Sequence, residues 1–172
     1  MGTGGPALTA ALVALAAFVG MELVSYLMHR FVMHGPGRAI HADHHRPAEG
    51  GFERNDLYPA SFSLLAVTLF VLGTGIPGLR LLVAAGIGMT AYGLAYVYVH
   101  EVYVHCRLPL PRQGGRYVAW LERQHRIHHL YGGEPYGMLL PVVPRALRER
   151  AAGDRREPFI RTASTRDSRD RL

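Results

Sequence analysis

The sequence contains one cysteine and no lysine. A single cysteine, Cys106, excludes an internal disulfide and a cysteine-built zinc site, and it reads as a structural or incidental thiol. All 19 basic residues are therefore Arg, and the formal net charge is +6. A basic chain can serve nucleic acid, but these Arg residues flank apolar runs and form no nucleic-acid motif, so a nucleic-acid partner is set aside. Residues 1–6 carry no positive charge, unlike a signal peptide or an Arg-rich transit peptide, so the first apolar run reads as a retained membrane helix. No G-x-G-x-x-G occurs, and 172 residues leave no room for a built-in reductase domain.

What is present is unevenly spread. Apolar residues make up 49% of the chain and gather in three runs, at about residues 7–28, 57–75 and 81–99, each near the ~20 residues a helix needs to cross the hydrocarbon core. The segments between them are polar and rich in Arg and His. This predicts an all-α, integral membrane bundle with about three to four membrane-embedded helices and a histidine-rich cap. The link Gly75-Ile76-Pro77-Gly78 is a turn signal, so the second and third runs form a hairpin. No Arg precedes the first run, four (Arg30, Arg38, Arg46, Arg54) follow it, and only Arg80 lies between the second and third. The positive-inside rule then places the N-terminus outside, and the 30–56 segment and C-terminal region in the cytoplasm, in the inner (plasma) membrane of a cell. Residues 1–144 read as the membrane-embedded domain. Residues 145–172, with nine Arg and five acidic residues, read as a tail that is disordered or rests on anionic lipid.

All ten histidines fall in four clusters. These are His29 and His34; His41, His44 and His45; His100 and His105; and His125, His128 and His129. The patterns are H-x4-H and H-x2-H-H, each occurring twice, which hints at an internal duplication. On an α-helix each H-x2-H-H triple lies within about 100° of arc, on one face. The members of H-x4-H lie about 140° apart, so they need a local distortion, two different metals or a helix break. The topology gathers all four clusters at one membrane face. Neutral imidazole ligates iron, zinc and copper, and ten imidazoles exceed one ordinary site and suffice for two. A nitrogen-only set leaves the metal open: zinc suits hydrolysis or storage, iron suits oxygen chemistry.

Metal-bound imidazoles usually donate their second N–H to a carboxylate or carbonyl. Glu22, a charge inside the first run and seven residues before His29, is one candidate for such a role. Asp43, Asn55 and Asp56 are others, with helix capping as the alternative, above all for Asp56. Tyr92 and Tyr96 share a helical face and are candidates for a substrate channel, against membrane-interface or packing roles. Trp120 is expected to anchor an interfacial helix.

The stretches 21–34 (MELVSYLMHRFVMH), 41–45 (HADHH), 52–58 (FERNDLY), 92–105 (YGLAYVYVHEVYVH) and 124–129 (QHRIHH) resemble the histidine boxes of the membrane fatty acid hydroxylase superfamily. FERNDLY, the tyrosine-rich third run and the short chain resemble its carotenoid-hydroxylating branch. The resemblance covers residues 10–143, and Glu101 and Cys106 depart from what it leads one to expect beside the third cluster. It implies two non-haem iron ions, dioxygen as co-substrate, and 3-hydroxylation of a β-ionone ring, taking β-carotene to β-cryptoxanthin and then zeaxanthin. Electrons would come from a ferredoxin or similar donor, ultimately from NAD(P)H. The bilayer would deliver the lipid-soluble carotenoid. Two readings compete: a fatty acyl, sterol or alkane oxygenase or desaturase of the same superfamily, and a non-catalytic metal buffer or transporter. A transporter should hold its ligands near the bilayer midplane, which the clustering at one face opposes.

Overall fold

The structure, a computed structural model, describes residues 4–46 and 52–155. Among these residues the chain is helical, with no strand. Helix α1 (Gly4–Leu27) runs into a π-helical turn at Met28–Met33, and a short α2 (Arg38–His41) follows. A 3-10 turn at Arg54–Asp56 starts α3 (Leu57–Gly75). Helix α4 (Leu81–Val97) also ends in a π turn, Tyr98–Val104. Helices α5 (Arg116–Tyr131) and α6 (Arg145–Ala152) complete the order. α6 occupies the beginning of the expected tail, and residues 156–172 lie outside the described residues.

Three continuous helical stretches are long and apolar enough to cross a membrane: Gly5–Met33, Arg54–Gly75 and Leu81–Val104. At about 1.5 Å per residue, 29 residues reach well beyond a hydrocarbon core of about 30 Å. The first stretch can therefore span the membrane and still lift its last turns, with His29, towards the headgroups. Leu8, Leu12, Leu15, Val19 and Leu23 recur every three or four residues and are exposed, as a lipid-facing stripe of α1 must be. The hairpin between α3 and α4 turns at Gly78, whose φ of 90° suits glycine.

α4 is the central helix: it packs against α1 on one side and α3 on the other, whereas α1 and α3 make no close pairing with each other among the described residues. Lipid tails supply no hydrophobic drive for helix pairing, so close approach relies on small residues. At Gly88 a Cβ would stand 2.0 Å from the Ala14 carbonyl oxygen of α1 and 2.9 Å from the Ala17 Cβ. Gly88→Leu is accordingly expected to push α1 from α4 and cost about 2 kcal/mol or more, measurable as a lower thermal midpoint in detergent.

The wedge between α1 and α3, floored by α4, is a cavity of about 420 Å³. Met21, Met28, Met33, Met89 and Met138 line it, five of the six methionines in the chain. Thioether side chains adapt their shape, so this wall can follow the outline of varied apolar surfaces. Tyr92 and Tyr96 line the same cavity, and His29 and Tyr136 border it.

Candidate metal centre

The two π turns resolve the problem posed by H-x4-H. A π-helix bonds residue i+5 to residue i, and here the His34 N–H donates to the His29 carbonyl (3.0 Å) and the His105 N–H to the His100 carbonyl (2.9 Å). Both members of each pair then face the same way, with ring centroids 5.1 Å apart in the first pair and 4.5 Å in the second.

The two triples lie across from these pairs. Nine imidazoles sort into two groups: His29, His34, His41, His45 and His128 in one, and His44, His105, His125 and His129 in the other. Within each group one nitrogen of every ring lies within 4.8 Å of those of the others. Each triple divides alike. Its first and third histidines, four residues apart, join their own group, and its middle histidine crosses to the other. On α5 the split follows from helix geometry, because residues i and i+4 are close in angle whereas i+3 and i+4 are separated by about 100°; the turn after α2 gives the same division, with His41 and His45 Nε2 3.0 Å apart. His100 stands to the second group as His29 does to the first, with its ring 4.5 Å from His105, 4.7 Å from His44 and 4.9 Å from His125. The repeated sequence pattern thus becomes two matching groups of imidazoles.

Five rings are oriented through Nδ1. His29 donates to the Tyr136 carbonyl (2.9 Å), His128 to the Gly133 carbonyl (2.6 Å), and His41 to Asn55 Oδ1 (2.7 Å). His44 donates to Glu53 Oε2 (2.9 Å) and His100 to Glu101 Oε1 (2.6 Å). A neutral imidazole that donates from Nδ1 keeps a lone pair on Nε2. His29 Nε2 and His44 Nε2 are buried and meet no hydrogen-bond partner, an arrangement that calls for an ion. Elsewhere Nε2 faces Nε2: His41 to His45 at 3.0 Å, His34 to His128 at 3.2 Å, His105 to His125 at 3.1 Å, and His125 to His129 at 2.9 Å. Two nitrogens bound about 2.1 Å from one metal at right angles stand about 3.0 Å apart. Divalent metal fits both groups.

Burial holds the imidazoles neutral and ready to ligate. Desolvation is the largest cause and the neighbouring imidazoles add to it, lowering His41 to about 4 and His45 to about 3, with His44, His105, His125, His128 and His129 well below the usual range.

The remaining candidates lie as follows. Asn55 holds His41. The Asp43 carboxylate accepts from the Arg54 N–H (2.6 Å). Asp56 accepts from the Glu53 N–H (3.0 Å) in a reciprocal cap and pairs with Arg107 (2.6 Å). Glu22 reaches the centre through a loop. Its carboxylate accepts from the Leu139 N–H (3.0 Å), the Leu140 N–H (2.8 Å) and the Tyr92 hydroxyl (2.7 Å), tying α1 and α4 to the segment whose Tyr136 carbonyl orients His29. A Cβ at Gly137 would stand 2.9 Å from Glu22 Oε1, so glycine permits this approach. Glu22→Ala is expected to cost about 2 kcal/mol for the stranded N–H groups and to loosen metal held by the His29 group. Glu22→Gln should recover part of both in thermal melts and metal counts.

Five participants were not singled out from sequence as anchors: Glu53, Glu101, Arg107, and the Tyr136 and Gly133 carbonyls. Glu101 directly follows a histidine and Glu53 sits in FERNDLY, which was their available signal. The two carbonyls carry no side-chain signal at all. Gly132, at φ 66°, ends α5 in a left-handed cap, and the turned chain presents the next carbonyl to His128. Trp120 packs on the buried cluster of Val99, Val104, Leu121 and Met138 and stacks with Tyr117 at 5.5 Å.

The geometry can be set beside known proteins. The chain is 40% identical over 151 residues to a protein of Pantoea ananas named beta-carotene hydroxylase, covering 81% of this chain and 84% of that one. It is 38% identical over 133 residues to a beta-carotene hydroxylase of Paracoccus sp. (strain PC1), covering 75% and 80%. A chloroplastic beta-carotene 3-hydroxylase of an Oncidium hybrid cultivar is 38% identical over 132 residues, covering 74% of this chain and 43% of that longer one. No solved structure matches the chain. Residues 14–148 match the family model described as Fatty acid hydroxylase, and with that span enclosing all ten histidines the chain belongs to the fatty acid hydroxylase family.

Proposed function

We propose that this chain is a membrane oxidoreductase that hydroxylates β-carotene at the 3-position of its β-ionone rings, first to β-cryptoxanthin and then to zeaxanthin. The observation that carries this reading is the apolar, methionine-lined cavity between membrane helices that ends against His29, one of the convergent imidazoles. The relatives' names supply the substrate class. Two iron ions bound by the histidine groups would supply the oxygen-activating chemistry, with dioxygen as co-substrate and electrons from a ferredoxin or similar donor fed by NAD(P)H.

The chain's own contribution is orientation and exclusion. His29, His34, His41, His45 and His128 would hold one ion, and His44, His105, His125 and His129, joined by His100, the other. Asn55, Glu53, Glu101 and the Tyr136 and Gly133 carbonyls fix the rings, so little reorganises when an ion binds. The cavity admits a flat apolar ring from the bilayer and keeps water from the reacting carbon. Tyr92 and Tyr96 form part of its wall. Substrate and site meet at the membrane face. The Arg distribution supports the cytoplasmic side of a plasma membrane, with residues 145–172 as an appended basic tail.

Expression in a bacterium that accumulates β-carotene, followed by chromatography of the pigments, tests the reading. Mono- and dihydroxylated carotenoid is the expected result. Untouched β-carotene beside an inserted, iron-loaded protein would move the assignment to another lipid.

A further inference from the structure

The two ligand groups are alike in their imidazoles and unlike in what stands behind them. Behind the His29 group every described Nδ1 anchor is an uncharged oxygen: the Tyr136 carbonyl, the Gly133 carbonyl and the Asn55 amide. On the other side the anchors are carboxylates, Glu53 on His44 and Glu101 on His100. Arg107 clamps these two carboxylates together. Its guanidinium meets Glu101 Oε2 at 2.7 Å, Glu53 Oε1 at 3.5 Å, and Asp56 at 2.6 and 2.8 Å through two nitrogens. The side chains of Arg107, Glu53 and Glu101 are nearly buried.

Three carboxylates and one guanidinium leave this side with excess negative charge. A carboxylate accepting from Nδ1 makes the imidazole a more basic ligand than a carbonyl does, and a buried negative charge attracts a dication.

We infer that the two metal sites are unequal. The His44, His105, His125 and His129 group, backed by Glu53, Glu101 and Arg107, takes the first divalent ion and holds it tightly. The His29 group takes the second, which is the exchangeable one and the one that borders the substrate cavity. Glu53, Glu101 and Arg107 are positioning residues for the tight site. The inference rests on the proposal that the histidines bind two ions.

The test is an anaerobic titration of the metal-free, full-length protein in lipid nanodiscs with Co(II), against a competing chelator, with bound metal counted by mass spectrometry. Two ions should bind in steps whose affinities differ at least tenfold. His125→Ala should remove the tighter step and His29→Ala the weaker. Glu101→Gln keeps a hydrogen-bond acceptor but removes the charge, so it should weaken the tighter step by about 10- to 100-fold and spare the weaker one. Asn55→Ala should do the reverse. Two ions bound with equal affinity in the parent protein overturn the inequality, whatever any variant does. Glu101→Gln acting on the weaker step overturns the assignment. Metal binding untouched by both histidine variants defeats the metal-centre reading itself, a result distinct from either.

Discussion

His128→Ala is expected to abolish hydroxylation and to leave the protein with one ion in place of two. His128 has no exposed surface, and its Nε2 lies 3.2 Å from His34 and 3.3 Å from His45, while its Nδ1 is fixed on the Gly133 carbonyl. It is also the histidine of α5 that crosses to the group built mainly on α1 and the segment after it. On the proposed reading its removal takes a ligand, and it opens a void between neighbouring rings while His125 and His129 keep α5 on the cage. Loss of a partner that merely orients a ligand typically costs about 10- to 100-fold, so loss of the ligand itself should exceed that. Activity at least about a hundredfold below the parent is the expected reading, with membrane insertion retained, because the three spanning helices pack without His128. Iron content and pigment analysis on the same preparation check both halves.

Gly93→Phe should produce the converse: metal retained, turnover lost. Gly93 lines the cavity, and a Cβ added there meets nothing within 4 Å. A phenyl group can therefore extend into open space without displacing the backbone. It lies along α4 above the π turn, away from the imidazoles, and so removes room for the guest and no ligand for the metal. A reacting carbon displaced by about 1 Å can lose on the order of 100-fold in rate, and exclusion of the ring would lose more. Full iron content with activity more than tenfold down supports the cavity as the substrate's path. Unchanged turnover would mean that the lipid reaches the histidines by another route.

The membrane spans were legible because hydropathy and length are additive along the chain. The runs at 57–75 and 81–99 correspond to α3 and α4 with its π extension, and 7–28 to α1. The clustering of the ten histidines was legible for the same reason, since each pair follows a span and spans of defined length bring their ends to one face. The manner of convergence was not. An ideal α-helix separates His29 from His34, and only the backbone bond from residue 34 to residue 29 shows which of the permitted distortions the chain adopts. The H-x2-H-H spacing separates the middle histidine of each triple from the other two, but that His44 and His128 each reach the other group depends on how α5 and the turn after α2 are placed, which no local pattern encodes.

Anchors were harder still. Asn55 was readable as a polar residue opening the second span. Asp56, equally readable, serves as a cap and a partner of Arg107. Two of the five Nδ1 acceptors are backbone carbonyls, and every residue has one of those. Glu22 shows the intermediate case. Its cost inside a membrane marked it as important, but its partners, the Leu139 and Leu140 N–H groups, lie more than a hundred residues away in the chain. Asp43 holds the backbone of Arg54, closing the segment between the second histidine cluster and α3.

The most direct test of the account is an isotope experiment on the purified, iron-loaded protein in nanodiscs, supplied with β-carotene, a chemical or ferredoxin-based reductant and ¹⁸O-labelled dioxygen. The account predicts a hydroxylated carotenoid carrying one ¹⁸O atom per hydroxyl, formed only when iron and reductant are both present. Product oxygen drawn from water, or equal turnover after iron is removed, would contradict it.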